Sequence, residues 1–263
     1  MKAYFYGLIL NFQFFTTLPI HFEVEMTEKN IERSIRLFPI LGAYFGLIYA
    51  FSAYFLQNFS PFSNLFIAFF IWLLTIVLTG GIHIDGWMDS ADGFFSYRDK
   101  PRRLEIMSDP RLGAFGVIGG IVLLLGKFLL IYEILMQGTE NSYFYMAFIP
   151  VLSRTFMAFN LLFIPNAKDK GLGHLFQKAM KKSTLPFYGI YLFALLALYF
   201  ISWSMFQNIL LLLIVSFLFF LFTKKKAVKW YGGMTGDVIG AAVEGLEVFL
   251  WLILLLLQYF AMV

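Results

Sequence analysis

Residues 64–93 read NLFIAFFIWLLTIVLTGGIHIDGWMDSADG, and the two halves of this stretch call for different solvents. Residues 64–81 are almost wholly apolar and close to the roughly 20 residues a helix needs to cross a bilayer. His83, Asp85, Asp89 and Asp92 follow directly. An apolar run ending in carboxylates predicts a span that delivers an acidic helix end to a membrane surface.

The rest of the chain supports that reading. Of its 263 residues 60% are hydrophobic, 14% are charged and 34 are Phe. Soluble domains hold about 45–50% apolar residues, and so little charge cannot cover a soluble surface. The expected fold is all-α: a polytopic integral membrane helical bundle, one unit over residues 1–263. Seven stretches qualify as spans, at roughly 37–56, 64–81, 114–136, 143–164, 186–203, 207–222 and 241–260. Residues 3–20 form a weaker eighth, either a span or an interfacial helix. Asn11 and Gln13 interrupt the N-terminal apolar stretch, which therefore lacks the pattern of a cleavable signal. With no Cys there are no disulfides and no thiolate chemistry. No internal repeat is evident.

The loops sort by charge. Arg and Lys gather in segments 21–36, 85–112, 165–185 and 223–239, which hold seventeen of the twenty basic residues. The intervening connections 57–63, 137–142 and 204–206 hold none. This asymmetry predicts that the four basic loops face the cytoplasm. Topology and attraction to anionic membrane lipid explain the net charge of +4. No nucleic-acid partner is expected, since the basic residues lie in short loops without an aromatic reading surface.

Topology leaves other polar residues unexplained. Asp85, Asp89 and Asp92 fall at i, i+4 and i+7, so on a helix they share a stripe of roughly 60°. Like charges in that arrangement repel. A divalent cation would neutralise them, and hard oxygen ligands suit Mg²⁺, which commonly bridges to substrate phosphates. The plainer explanation is a solvated helix end. His83 is expected to point away from this stripe. Arg102, Asp109 and Arg111 share a loop with Gly113 and Gly116, where guanidinium forks match phosphate oxygens. Arg154 lies inside the span 143–164, where a charge is costly and usually functional or paired. Thr235 and Asp237 follow Gly232-Gly233, and Asp237, Glu244 and Glu247 again share one helical face.

Taken in order, these residues resemble a known family. The series Thr79-Gly80-Gly81-Ile-His83-Ile-Asp85-Gly86-x-x-Asp89-x-x-Asp92-Gly93 is followed by Leu104-Glu105-Ile-Met107-x-Asp109-x-Arg111-x-Gly113. Then come Ser153-Arg154, Gly171-Leu172-Gly173 and Gly232-Gly233-x-Thr235-Gly236-Asp237-x-x-Gly240-Ala241-x-x-Glu244. The chain resembles the cobalamin synthase family, the adenosylcobinamide-GDP ribazoletransferases, over nearly its whole length. The resemblance implies a single integral membrane catalytic domain. It would transfer the adenosylcobinamide-phosphate group from adenosylcobinamide-GDP to α-ribazole, or its 5′-phosphate, with release of GMP and with Mg²⁺ as cofactor. It further implies that Asp85, Asp89 and Asp92 hold the metal, and that one of them or Asp109 acts as base. Arg102, Arg111 or Arg154 would stabilise phosphate charge. Asp237 and Glu244, with Thr235 and His83, would bind substrate. A homo-oligomer, or an assembly with other enzymes of nucleotide-loop construction, fits the resemblance, though no feature specifies either. One departure is Thr17, where many members carry an Arg that Arg33 would have to replace.

Two other classes match the sequence less well. A CDP-alcohol phosphotransferase needs D-G-x-x-A-R, but Asp89-Ser90 follows Asp85-Gly86-Trp87-Met88. An ion transporter would carry Arg154, Glu244 and Glu247 along a midplane pathway, whereas these acidic clusters gather toward one surface.

Overall fold

The computed structural model describes residues 2–196 and 202–260, and the described residues are helical, joined by turns and loops. In chain order they are α1 (Lys2–Phe15), α2 (Glu28–Arg36), α3 (Phe38–Phe59), α4 (Asn64–Val77), α5 (Ile82–Phe95) and α6 (Lys100–Ile106). These are followed by α7 (Ala114–Gln137), α8 (Glu140–Phe163), α9 (Leu172–Ala179), α10 (Leu185–Leu196), α11 (Trp203–Tyr231) and α12 (Gly236–Tyr259). Hydroxyl caps start several of them by accepting first-turn amides that have no helical partner. Thr27 accepts from Asn30 at 3.3 Å, Ser63 from Phe66 at 3.3 Å, Ser202 from Met205 at 3.4 Å and Thr235 from Val238 at 3.1 Å.

Among the described residues five helices are long and apolar enough to cross a membrane: α3, α7, α8, α11 and α12. A sixth crossing exists only if α4 and α5 are taken together across an 82° bend. The expected straight span over 64–81 is therefore corrected. Its helix stops at Val77, and Gly80 and Gly81 turn the chain at φ of +64° and +73°, a region residues with a Cβ avoid. The count of seven or eight spans is likewise not what the described residues hold. For the stretch 186–203, α10 covers the first part and residues 197–201 lie outside the described residues. At the N-terminus α1 rises only about 21 Å, short of a hydrocarbon core of about 30 Å. Its end is pinned to that of α4: the Thr17 amide donates to the Leu78 carbonyl at 3.1 Å and its hydroxyl to that of Val77 at 2.9 Å.

Hydrogen bonds identify the two ends of the bundle. At one end Gln57 donates to the Leu135 carbonyl and to Asn64, both at 3.0 Å. At the other, contacts join all four basic loops in turn. Ser183 donates to Glu32 at 3.1 Å, Lys168 to Ser108 at 2.6 Å and Arg103 to the Trp230 carbonyl at 3.3 Å. Between the ends, α3 lies directly on α8. A Cβ at Gly42 or Gly46, one turn apart, would collide with the carbonyl oxygens of Pro150 and Ala147. Small residues at that spacing let membrane helices meet backbone to backbone. The α12 helix runs through the middle, burying Leu246, Leu250, Trp251 and Leu254.

Candidate active site

A cavity of about 400 Å³ lies at the basic end, where α5, α9 and α12 begin. His83 and Asp85 of α5 line it, together with Thr235 and Asp237 at the start of α12. Lys168 and Lys170 of the segment leading into α9, and His174 in the first turn of α9, also line it, and Phe15, Phe38, Met157 and Phe176 supply much of its apolar surface.

Local backbone contacts hold these pieces in register. The Ala167 amide donates to the Met234 carbonyl at 2.9 Å and the Met234 amide to the Pro165 carbonyl at 2.7 Å. This short parallel bridge ties the lysine-bearing segment to the turn carrying Thr235 and Asp237. A Cβ on Gly86 would stand 2.6 Å from the Asp237 carbonyl oxygen, so glycine is what lets α5 and α12 touch. Asp89 sits one turn beyond Asp85, half-buried, where the charges of Asp85, Asp237 and Asp92 act on it and Lys168 opposes them.

The three aspartates of α5 do not share one environment. Asp85 is exposed and Asp89 half-buried, and neither carboxylate has a hydrogen-bond or ion-pair partner among the described residues. Asp92 is buried, and both of its oxygens are engaged. One accepts from the Gly113 amide at 2.6 Å and the other from the Gly116 amide at 2.7 Å, which fixes the start of α7. Among the described residues no three His, Cys, Asp or Glu side chains stand close enough to enclose a metal ion. Mg²⁺ does not need such a cage, because it is usually held by one or two carboxylates plus substrate phosphates and water. The free oxygens of Asp85 and Asp89 beside Asp237 fit that donor set, and the engaged carboxylate of Asp92 fits it less well.

His83 shares the cavity with Asp85 rather than pointing away from it. It is 4% exposed, and neither ring nitrogen has a partner among the described residues. Its ring lies 5.9 Å from that of Phe15.

Arg154 and Glu244 are drawn into a separate buried network. Lys127 donates to Glu244 at 2.7 Å and to Glu247 at 3.0 Å, Ser153 donates to Glu247 at 2.9 Å, and Arg154 donates to both Ser153 and Glu247. Two cations and two carboxylates make this group neutral, and none of the four side chains is more than 5% exposed. Arg102, Asp109 and Arg111 lie on a neighbouring exposed cleft. There Arg102 pairs with Glu105 at 2.5 Å, and Arg111 grips Asp109 through its side chain and its amide, holding that carboxyl down at about 2. Arg33 lies over the Tyr4 ring, 4.9 Å from its centroid, and is not among the cavity's lining residues.

Sequence reasoning missed three groups. Lys168 and Lys170 read only as topology-setting charges, and a bridge between residues 68 positions apart is what carries them to the cavity. Lys127 has a clearer signal: a lone Lys within a span is costly unless paired, and Glu244 and Glu247 were in view as its partners.

The family model for cobalamin-5-phosphate synthase matches residues 7–255 of this chain. A protein of Geobacillus sp. (strain WCH70) named adenosylcobinamide-GDP ribazoletransferase is 38% identical over 264 residues, covering 100% of each chain. Proteins with the same name from Halalkalibacterium halodurans and Clostridium botulinum (strain 657 / Type Ba4) are 35% and 34% identical. They cover 95% and 98% of this chain and 95% and 100% of their own. No solved structure matches it.

Proposed function

This chain belongs to the cobalamin-5-phosphate synthase family and is an enzyme of cobalamin biosynthesis; on that premise we propose that its cavity is where adenosylcobinamide-GDP meets α-ribazole or α-ribazole 5′-phosphate. One observation carries the proposal. Carboxylates from α5 and α12 and lysines from the segment before α9 line the same 400 Å³ cavity. Acid to hold a cation and base to hold phosphate are what a diphosphate ester requires.

In this reading Asp85 and Asp89, with Asp237 facing them, would hold Mg²⁺. The bound cation would neutralise charge that develops on the phosphoryl oxygens during transfer. Lys168 and Lys170 bind the remaining phosphate charge. The ribazole hydroxyl oxygen attacks the phosphorus on the cobinamide side, and the bond from that phosphorus to the bridging oxygen breaks. GMP departs with the electron pair, and the hydroxyl proton passes to the carboxylate oxygen of Asp89 that the cation would leave free. His83 offers a ring nitrogen to the acceptor, and the surrounding Phe side chains exclude water that would otherwise hydrolyse the diphosphate. The proposed site faces the cytoplasm at the inner membrane; the basic loops gathered at its end of the bundle support that side by the positive-inside rule.

The test supplies purified protein in lipid with adenosylcobinamide-GDP, α-ribazole and Mg²⁺, and follows GMP. Release that requires all three supports the reading. No GMP, while the Geobacillus relative turns over in the same vesicles, refutes it.

A further inference from the structure

Helix α5 has a second face, turned away from the cavity, and we propose that the groove there binds one acyl chain of an anionic phospholipid whose phosphate rests on Lys226. The groove has a volume of about 460 Å³ and lies between α5, α7, α11 and α12. Trp87, Phe94, Phe219, Phe222, Trp230 and Leu252 are among the side chains that line it. Phe95, Phe222 and Phe249 at its rim are exposed, so it opens sideways onto the bilayer.

Length and charge choose the occupant. Along α12 the groove runs from Val238 to Leu252, about 21 Å of helix axis and enough to cover the roughly 15 Å hydrocarbon depth of one leaflet. The 29 residues of α11 make a helix of about 43 Å, longer than the whole hydrocarbon core, so its basic end stands in the headgroup layer. That end carries Lys224, Lys225, Lys226 and Lys229. Three of these are exposed, while Lys226 is half-buried and lines the groove. Its ammonium lies 4.8 Å from the Trp230 ring centroid and 5.4 Å from that of Phe222. A lysine held this way lays its stem on apolar surface and offers its charge at the mouth, where a lipid phosphate would sit.

A second observation points the same way. Ser90 lines the groove, is 6% exposed, and its hydroxyl has no partner among the described residues. Buried hydroxyls are ordinarily bonded, and an ester or glycerol oxygen of a lipid would satisfy this one. A purely apolar occupant would leave the Ser90 hydroxyl unanswered.

Native mass spectrometry of the full-length protein in nonionic detergent tests the proposal without reference to catalysis. The protein is titrated with phosphatidylglycerol or with phosphatidylcholine of identical chains. One phosphatidylglycerol should bind more tightly than phosphatidylcholine. Lys226→Gln should weaken phosphatidylglycerol about five-fold, the effect of one interfacial lysine, and phosphatidylcholine less, because its choline already offsets the phosphate charge. Ala241→Phe should fill the groove and remove both. Should Ala241→Phe lower expression or melting temperature, Lys226→Gln alone still decides, since it alters only a side chain at the groove mouth. Equal binding of the two lipids to the unsubstituted protein overturns the proposal, as does phosphatidylglycerol binding that survives both substitutions. A change of oligomeric state in Ala241→Phe with lipid binding intact would assign the groove to a second copy of the chain and overturn it too.

Discussion

Replacing Lys127 with Met tests whether the buried charges are a neutral structural unit. The Nζ of Lys127 contacts Glu244 at 2.7 Å and Glu247 at 3.0 Å, and its side chain is 2% exposed. Glu247 also has Arg154 and Ser153, whereas Glu244 has no other hydrogen-bond or ion-pair partner among the described residues. Lys127→Met therefore leaves two carboxylates facing one guanidinium, and the stranded charge is that of Glu244. Breaking a buried pair in this way costs about 3–5 kcal/mol. Glu244→Met strands the lysine instead and should also destabilise. The double variant removes one charge of each sign, keeps the Arg154–Glu247 pair, and fills the space with two apolar side chains. Such replacement is often close to neutral. The double variant should accordingly unfold near the unsubstituted protein, with a coupling energy of at least about 2 kcal/mol between the two positions. Titration with dodecyl sulfate in mixed micelles, followed by tryptophan fluorescence, measures this directly. If Lys127→Met unfolds where the unsubstituted protein does, or if the double variant shows the sum of the two single losses, the neutral-quartet account fails. The same double variant reports on chemistry. Turnover should return with stability if Glu244 acts only through Lys127.

Three further outcomes are expected. Asp89→Asn should lower GMP release by about a hundred-fold or more while the protein stays folded, as loss of a proton acceptor does; near-full activity would remove Asp89 from the chemistry. Asp92→Asn should do the reverse, keeping turnover per folded molecule while losing about 1.5–3 kcal/mol of stability, because an amide nitrogen cannot accept from a backbone N–H; a chemical defect without a stability defect would restore it to the metal site. Lys168→Gln should raise KM for adenosylcobinamide-GDP more than it lowers kcat, measured by steady-state GMP release, and an unchanged KM would take Lys168 off the phosphates. These three readouts separate ligand, anchor and phosphate-binding roles that the sequence alone assigns to one acidic and basic surface.

How much of this was legible follows from what hydropathy can register. Runs of apolar residues and the sorting of Lys and Arg gave the helical class, five of the crossings and the basic end of the bundle. The bend after Val77 escaped because Thr79, Gly80 and Gly81 differ little in polarity from a span, and the deciding quantity is a positive φ at two glycines. The pairing of Lys127 escaped because a lone cation in a span says that it has a partner without saying which helix supplies it. Lys168 and Lys170 escaped because the Asn166–Met234 bridge is a tertiary event with no local pattern.

The acidic stripe shows where angular reasoning stops. Asp85, Asp89 and Asp92 do share a helix and a direction, but direction is only one coordinate. From Asp85 to Asp92 the helix climbs about 10 Å, whereas the ligands of one Mg²⁺ lie about 2.1 Å from it. One cation can be approached from neighbouring turns and not readily from three positions spread over that rise. The chain resolves the mismatch by using the stripe twice. Its first two carboxylates stay unpaired next to the cavity, where Asp237 of α12 comes up against Gly86, while the third turns into the fold and binds the amides that begin α7. Asp92 thereby holds α7 against the helix that carries the cavity's carboxylates, and its tight amide contacts set the position from which, in the proposed function, Asp85 and Asp89 would reach substrate.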